Sequence, residues 1–298
     1  MKLAVLSTVG TSILSNMEAT IRNDIERGVS TIDLTGIPEE IQAKLKEGKL
    51  SKLGPDDPLQ EKIEHMRHRG DSFFEKTIEF VRNNPEGTSA ELNTLIRFLL
   101  DFPYRQFEEL EIYLYPTDTG TGKFCAQVIK EYLDRYGNEF MQKAGINIKP
   151  KVDEPIVVKD LGRDINWFNE GLIELVNKFA RLIINKTRSG YKVVVNATAG
   201  YKPETAYIAL VAQLTGAWKI IYMHESFKSI VELPKLPLTI QEKYIEALKI
   251  IGNGTLQNIL KQMGIDVNDL IERGLVTNEE GIIKPREWIQ KLINTLQS

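Results

Sequence analysis

Two loops with the composition of anion-binding sites follow apolar runs in this chain. The first reads V-G-T-S at positions 9–12 and is followed by Asn16, and the second reads N-A-T-A-G-Y-K at positions 196–202. Small residues let backbone N–H groups approach a ligand closely, and a helix that starts there presents unpaired N–H groups at the positive end of its dipole. Lys202 would add a compact positive charge suited to a phosphate. We therefore expect both loops to bind an anionic ligand.

The elements that must position these loops follow an alternating pattern along the first 235 residues. The predicted strands are Leu3–Leu6, Glu111–Tyr115, Ile156–Val158, Lys192–Asn196 and Trp218–Met223. The predicted helices are Ser89–Asp101, Gly120–Tyr136, Asn166–Lys186 and Pro203–Thr215. Alternation of apolar runs with helical patterns is typical of a doubly wound α/β fold with a mainly parallel, Rossmann-like sheet. Such sheets bind ligands at the carboxyl ends of their strands, where both loops are expected to lie.

Two regions depart from this alternation. Residues 22–85 are charged and are broken by Gly54-Pro55 and Asp57-Pro58, which predicts an insertion of two helices with a loop. From Leu233 the sequence L-P-K-L-P-L predicts a linker, because proline cannot continue a helix. The predicted elements beyond it are helices at 240–251, 255–263 and 267–273, a hairpin at 275–283 and a last helix at 286–296. We therefore predict a Rossmann-like domain at 1–235 and a small winged-helix domain at 236–298.

The composition excludes several classes of protein. The 298 residues carry a net charge of −3 with 27% charged residues, which gives no global basic surface for duplex DNA or RNA. Cys125 is the single cysteine, which excludes an intramolecular disulfide and a cysteine-based zinc site. No segment approaches the roughly 18 uninterrupted apolar residues of a membrane span. We expect a cytoplasmic protein without a membrane partner.

Four motifs in order carry a resemblance to a known family. They are V-G-T-S at 9–12, S-A-E-L at 89–92, L-Y-P-T-D-T at 114–119 and N-A-T-A-G-Y-K-P-E at 196–204. This combination resembles the CRISPR-associated CARF proteins and is most similar to the archaeal ring nucleases. Those proteins bind and cut cyclic tetra-adenylate, the second messenger of type III CRISPR defence. The resemblance spans residues 1–235 and extends to the winged-helix tail that several members carry.

The resemblance implies a metal-independent phosphodiesterase. In ring nucleases a ribose 2′-OH attacks the adjacent phosphate, so the protein must align the hydroxyl and stabilise negative charge on the phosphoryl oxygens. By resemblance, Ser12 and Lys202 carry this activity, and no metal or cofactor is needed. The product is a linear di-adenylate with a 2′,3′-cyclic phosphate, which switches off the signalling. Since the ligand has a two-fold axis, a homodimer is the expected active form.

The candidate contacts have structural alternatives. The ligand-binding set is Gly10, Thr11, Asn16, Asp118, Thr119, Asn196, Thr198, Ala199, Gly200 and Tyr201. Thr11 and Ser12 are either ligand contacts or helix caps, and the sequence does not distinguish which of them positions the 2′-OH. Asp118 either caps the following helix or bonds an adenine amino group. Tyr201 either stacks on a base or packs in the interior. Ser89 and Glu91 have the pattern of a helix start.

The tail supports an alternative function. A non-catalytic CARF sensor, or a transcription regulator controlled by cyclic oligoadenylate, would have the same sheet domain and a winged helix. Residues 235–298, however, contain eight basic and eight acidic residues, and the predicted recognition helix carries Asp266, Asp269 and Glu272 against Arg273. Because phosphate contacts dominate DNA affinity, we expect this tail not to bind duplex DNA. It is interpreted instead as a dimerisation or lid element.

Overall fold

The computed structural model describes residues 1–101, 106–159, 168–200, 202–224 and 229–297 and contains a six-stranded sheet. Its strands are β1 Lys2–Val9, β2 Glu109–Pro116, β3 Lys151–Val152, β4 Tyr191–Asn196, β5 Lys219–His224 and β6 Ser229–Glu232. The strand order is β3-β2-β1-β4-β5-β6, and every pair is parallel except β5 with β6. The expected mainly parallel, Rossmann-like sheet is therefore confirmed.

Helices cover both faces of this sheet. They are α1 Ser12–Arg27, α2 Glu39–Glu47, α3 Leu59–His65, α4 Ser72–Asn83, α5 Pro85–Thr88, α6 Ala90–Asp101, α7 Gly120–Lys143, α8 Phe168–Leu175, α9 Arg181–Arg188 and α10 Lys202–Leu214. A π-helical turn at Val176–Ala180 joins α8 to α9, so the predicted helix at 166–186 is interrupted in its middle. Residues 160–167 lie outside the described part of the chain.

Alternation along the strands divides the interior into two cores. In β1, Leu3 and Val5 join one hydrophobic cluster with α1, α6 and α7, whereas Ala4 and Leu6 join a second cluster with the π-helical turn, α9 and α10. Because successive strand residues point to opposite faces, a strand buried on both sides must be apolar throughout. This requirement explains the uninterrupted apolar run at the start of the sequence.

The sheet has a switch point beside β1. The chain passes from β1 to β2 on one side of it, and β4 lies against its other side. Connections that leave two neighbouring strands in opposite directions open a crevice at their carboxyl ends, where open α/β sheets bind ligands. The loops that follow β1 and β4 are the two loops singled out in the sequence.

The segment 22–85 is more helical and more deeply packed than predicted. Helix α1 continues to Arg27, and α2, α3, α4 and a short 3-10 helix at Leu50–Lys52 follow, so the prediction of two helices is wrong. Its apolar residues enter the same core as β1; the ring of Phe73 stacks on Phe124 of α7 with centroids 4.7 Å apart. The charged composition belongs to the outer faces of these helices, which obscured their apolar stripe.

The strand predicted at Ile156–Val158 is not a regular strand. The named strand in this region is β3, at Lys151–Val152, and Val158 forms an isolated parallel bridge with Thr117. The backbone N–H groups of Ile156 and Val158 still donate to β2 carbonyl oxygens, at 2.8 and 2.9 Å. The segment therefore runs along the sheet edge without continuous pairing. The antiparallel strand β6 was not predicted.

The tail contains the predicted element types with shifted bounds. Its elements are α11 Glu242–Ile251, β7 Thr255–Leu256, α12 Gln257–Gln262, α13 Val267–Glu272, β8 Val276–Glu279, β9 Ile282–Pro285 and α14 Glu287–Gln297. The sequence 255–263 begins with a strand rather than a helix, and β7, β9 and β8 form a three-stranded sheet. The winged-helix assignment and the domain boundary at 235 stay predictions.

The tail shares a core with the second face of the main sheet. Apolar side chains of α11 and α14 belong to the same cluster as Val193 and Val195 of β4, and the ring of Tyr207 in α10 meets Trp288 edge-on at 6.1 Å. Within the described residues, no helix combines the length and apolarity that crossing a bilayer requires.

Candidate functional site

A pocket of about 480 Å³ lies at the carboxyl ends of the central strands. Its lining residues are Val9, Gly10, Thr11, Ser12, Ser51, Lys52, Leu53, Ala90, Thr117, Thr119, Thr121, Gly122, Thr198, Ala199 and Gly200. The structure thus brings together ten residues of the predicted loops and motifs: Val9, Gly10, Thr11, Ser12, Ala90, Thr117, Thr119, Thr198, Ala199 and Gly200. Their roles toward a ligand stay predictions.

The loops after β1 and β4 touch each other. A Cβ on Gly10 would lie 3.3 Å from the backbone nitrogen of Gly200, and the Thr8 hydroxyl donates to the carbonyl oxygen of Ala199. Gly200 has a φ of 108°, a conformation that side-chain-bearing residues rarely adopt. Glycine at both positions therefore permits the close approach that forms one continuous pocket wall.

Four helices that the structure describes begin at this pocket: α1, α6, α7 and α10. Each start presents backbone N–H groups without intrahelical partners and the positive end of a helix dipole. Of the described lining residues, none is acidic and Lys52 is basic. An anion is therefore the ligand that the electrostatics of this pocket favour.

A buried carboxylate, Glu91, ties the first loop to the start of α6. Its Oε1 accepts a hydrogen bond from the Gly10 N–H at 2.9 Å, and its Oε2 accepts one from the Ser12 hydroxyl at 3.1 Å. The Ser89 hydroxyl donates to the same Oε2 at 2.7 Å and accepts from the Leu92 N–H at 3.2 Å. The interpretation of Ser89 as a helix cap is thus confirmed. Glu91 in addition fixes the turn after β1.

These contacts leave the Ser12 hydroxyl able to accept a hydrogen bond from a ligand but not to donate one. Its hydroxyl hydrogen is directed to Glu91, and its Oγ accepts a hydrogen bond from the Ala90 N–H at 3.1 Å. A serine hydroxyl has one hydrogen and two lone pairs, so one lone pair remains for a ligand. Burial raises the pKa of the Glu91 carboxyl, although its hydrogen bonds from Ser89, Gly10 and Ser12 act in the opposite direction.

The 3-10 helix of the 22–85 segment forms the opposite rim of the pocket. The Thr11 hydroxyl donates to the Ser51 carbonyl oxygen at 3.0 Å, which replaces the capping role considered for Thr11. Ser51 is held in turn by the buried Glu18 carboxylate, which accepts from its N–H at 2.8 Å and from its hydroxyl at 2.7 Å. The neighbouring Lys52 is exposed and has no ion-pair partner among the described residues. Within the part of the chain that the structure describes, Lys52 is therefore an unpaired cation next to Ser51, whose position Glu18 fixes.

Asn196 and Thr198 organise the second loop from inside. The Asn196 amide is buried; it donates to the Glu91 carbonyl oxygen at 3.2 Å and accepts from the Thr198 hydroxyl at 2.7 Å. The Thr198 Oγ1 also accepts from the Met223 N–H at 3.1 Å. Asn196 does not line the pocket and holds the loop in shape, and its expected ligand contact stays a prediction.

Two further candidates lie elsewhere than expected. The Thr119 hydroxyl accepts from the Gly122 N–H at 3.2 Å and caps α7, so Asp118 is not the cap, nor does it line the pocket. The Asn16 amide donates to the Thr88 carbonyl oxygen at 3.0 Å and lines a separate cavity of about 520 Å³ between α1 and α4. Asn16 lies one turn into α1 and does not line the pocket at the helix start, and its expected ligand contact stays a prediction.

The candidate Tyr201 lies outside the described residues. Helix α10 begins at Lys202, as the motif predicted, directly after the pocket-lining Gly200. The side chains of residues 202–204 lie outside the described part as well, so the phosphate contact of Lys202 stays a prediction.

Sequence reasoning missed the roles of Glu91 and Lys52. Glu91 could have been noticed, because an acidic residue in an otherwise apolar helix stretch signals burial with a partner. Lys52 is one of several lysines in a charged segment, and nothing in its spacing marks it. No group of three or more potential His, Cys, Asp or Glu metal ligands occurs in the described ranges.

One comparison with known protein families bears on this site. A family model described as "CRISPR-associated protein (Cas_APE2256)" matches residues 86–236. The match covers just over half of the 298 residues and includes Glu91, the start of α7, β4 and the Thr198–Gly200 loop. The chain therefore belongs to this family of CRISPR-associated proteins.

Proposed function

We propose that this protein is a ring nuclease that binds and cleaves cyclic tetra-adenylate and so switches off type III CRISPR signalling. The observation that carries the proposal is the pocket at the switch point, where four described helix starts and Lys52 surround a cavity with no acidic residue among its described lining. Membership in a CRISPR-associated family supports the biological context. We infer the ligand and the reaction from the four motifs that resemble those of archaeal ring nucleases.

The proposed reaction is a transesterification. The ribose 2′-oxygen forms a bond to the adjacent phosphorus, the bond from phosphorus to the 5′-oxygen breaks, and the 5′-oxygen takes up a proton equivalent to the one that the 2′-OH loses. The products carry a 2′,3′-cyclic phosphate and a 5′-OH, and no water is consumed. The protein's contribution is alignment of the 2′-OH and stabilisation of charge on the phosphoryl oxygens by Lys202 and the helix N–H groups.

The proposed active form is a homodimer. A cyclic tetranucleotide has a two-fold axis, and a C2 dimer would offer each pair of opposite phosphates the same set of loops. One pocket of about 480 Å³ is of the size that holds a part of such a ligand rather than four nucleotides. Two cuts on opposite sides would then yield two linear di-adenylates.

Incubation of purified protein with labelled cyclic tetra-adenylate in EDTA tests the proposal. We expect conversion to a linear di-adenylate that ends in a 2′,3′-cyclic phosphate, at a rate unchanged by the chelator, because the substrate supplies its own nucleophile. Mass spectrometry that finds only 3′-OH ends would point to an activated water and a metal site. Tight binding without any product would favour the alternative, a non-catalytic sensor.

Lys202→Ala is the variant that tests the expected charge donor. Removal of one preorganised donor typically slows a reaction by about 10²–10³. The matched control is Lys235→Ala, which removes an exposed lysine after the last strand of the main sheet, β6. Full activity of the Lys202 variant would overturn the assignment, provided that the control is also active.

A further inference from the structure

We infer that Glu91, acting through Ser12, receives the proton of the attacking ribose hydroxyl. This inference rests on the proposed ring-nuclease function and assigns the base that the motifs leave unassigned. Its foundation is the direction of two hydrogen bonds: the Ser12 hydroxyl donates to Glu91 Oε2 at 3.1 Å, and the Ala90 N–H donates to Ser12 Oγ at 3.1 Å. The remaining lone pair on Ser12 can accept a hydrogen bond from a ligand hydroxyl but cannot donate one to a phosphate oxygen.

The hydroxyls of Thr11 and Thr198, on the two strand-end loops, donate to groups that cannot take a proton, whereas the Ser51 hydroxyl on the opposite rim donates to the Glu18 carboxylate. The Thr11 hydroxyl donates to the peptide carbonyl of Ser51, and the Thr198 hydroxyl donates to the amide oxygen of Asn196. Peptide and amide oxygens are hydrogen-bond acceptors but are far too weakly basic to hold a proton near neutral pH. Of the hydroxyls of Thr11, Ser12 and Thr198 on the two strand-end loops, that of Ser12 leads to a carboxylate. The contacts therefore distinguish Ser12 from Thr11 as the group that receives the 2′-OH.

The proton path has two short steps. As the 2′-oxygen attacks phosphorus, its hydrogen passes to Ser12 Oγ while the hydrogen of Ser12 passes to Glu91 Oε2. The bond from phosphorus to the 5′-oxygen breaks, and the 5′-oxygen takes a proton from water. Glu91 afterwards returns its proton to solvent through Ser12, so that the cycle leaves no net charge on the protein. Glu91 touches no substrate atom and is a positioning residue and proton store.

The buried surroundings of the Glu91 carboxyl make it a better proton acceptor than an exposed carboxylate. The cause is burial in the interior, which raises the pKa of this carboxyl. The carboxyl is contacted by uncharged groups, the Gly10 N–H and the hydroxyls of Ser12 and Ser89, whereas the Asn196 amide on β4 contacts the main-chain carbonyl oxygen of Glu91. On α7 the titratable neighbour is the buried Cys125 thiol, whose pKa burial also raises. Lys52 lies on the opposite, exposed rim.

The pH dependence of the cleavage rate tests the inference. Glu91 must be ionised to accept a proton, so the rate should fall as pH falls through the pKa of Glu91. Because that pKa is raised, the decline should begin above the range of an ordinary glutamate, about 4.3. We expect Glu91→Gln to lose about 10²–10⁴ in kcat and to lose the acidic decline, since a glutamine does not titrate. Its affinity for cyclic tetra-adenylate should stay within about threefold of the wild type.

The controls separate this role from a structural one. Glu86→Gln changes a nearby carboxylate that does not contact the pocket and should keep the wild-type rate and profile. A folded Glu91→Gln protein with the wild-type kcat would overturn the inference while the ring-nuclease function stands. If Glu91→Gln does not fold, the pH dependence of the wild-type cleavage rate tests the inference by itself. A rate that does not decline above about pH 4.3 as the pH falls would overturn the role of Glu91. Wild-type protein that cleaves nothing would overturn both proposals.

Discussion

The carbonyl oxygen of Gln60 lies directly against Gly120, where a Cβ would stand only 1.8 Å from it. The Gln60 side chain continues this contact, because its Oε1 accepts from the Thr121 N–H at 2.8 Å and its Nε2 donates to the carbonyl oxygens of Leu53 and Gly54 at 3.2 and 3.1 Å. One residue of the 22–85 segment thus joins the start of α7 to the rim that carries Lys52.

Gly120→Ala should destabilise the protein. Alanine is the better helix former by about 1 kcal/mol, but overpacking against a fixed backbone typically costs about 1–3 kcal/mol or more, so the clash should dominate. The measurement is the free energy of unfolding in urea. Gly54→Ala is the matched control, because no atom lies within 4 Å of its added Cβ. Equal stability of the two variants would show that the close approach of Gln60 is wrong.

Lys52→Ala should weaken binding of cyclic tetra-adenylate. Lys52 lines the pocket without an ion-pair partner among the described residues, so its charge is available to a phosphate. Because the side chain is exposed and screened, we expect a loss of about 3- to 10-fold in affinity that shrinks at high salt. Titration at two ionic strengths measures it. Lys49→Ala, which removes a lysine paired with Glu47 on the same segment, should bind like the wild type; equal losses in both variants would argue against a specific contact.

Glu111→Gln should change how stability depends on pH. Burial alone would raise the pKa of Glu111, but hydrogen bonds from Lys186 and Tyr113 and the charges of Lys186 and Lys151 outweigh it and lower the pKa to about 2. A folded pKa below the unfolded value of about 4.3 means that the ion pair stabilises the protein above that pH, and that this stabilisation is lost as pH falls toward 2.

The difference in unfolding free energy between wild type and Glu111→Gln should therefore be about 2–3 kcal/mol at pH 6 and should shrink below about pH 4. Urea unfolding at pH 6 and pH 3 measures both values. Glu47→Gln, which breaks an exposed pair, is the control and should change stability far less than Glu111→Gln at pH 6. A difference that does not change with pH would contradict a depressed pKa at Glu111.

Full-length protein should not bind the DNA upstream of its own CRISPR locus. In α13 the lone basic neighbour, Arg273, is already paired with Asp269 at 2.7 Å, and Asp269 also accepts from the Tyr244 hydroxyl at 3.0 Å. This leaves few cations for phosphate contacts, on which even non-specific DNA binding depends. A gel-shift titration with and without cyclic tetra-adenylate checks it. Sub-micromolar, messenger-dependent retardation at about 150 mM salt would favour the transcription regulator instead.

Sequence patterns predicted the parts of the site that depend on local order. The loops at Gly10–Ser12 and Thr198–Gly200 were expected at strand ends because uninterrupted apolar runs mark strands buried on both faces. The contact of Glu91 with Ser12 was not predicted, since it joins residues 79 positions apart and no periodicity encodes such a pairing. The place of Lys52 depends on how the 22–85 segment packs, and charged residues on the outer faces of its helices hid that packing.

The adjacency of β1 and β4 has a consequence for the timing of synthesis. Thr8 meets Ala199 across 191 positions of sequence, so the first loop leaves the ribosome long before the second exists. Contacts between distant residues form late, and domains generally fold as units once their sequence is complete. A nascent or truncated chain that ends before β4 would contain Ser12 and Glu91 but lack the part of the pocket wall formed by Thr198, Ala199 and Gly200. Under the proposed function, such fragments could not bind cyclic tetra-adenylate, and only nearly complete chains would consume it.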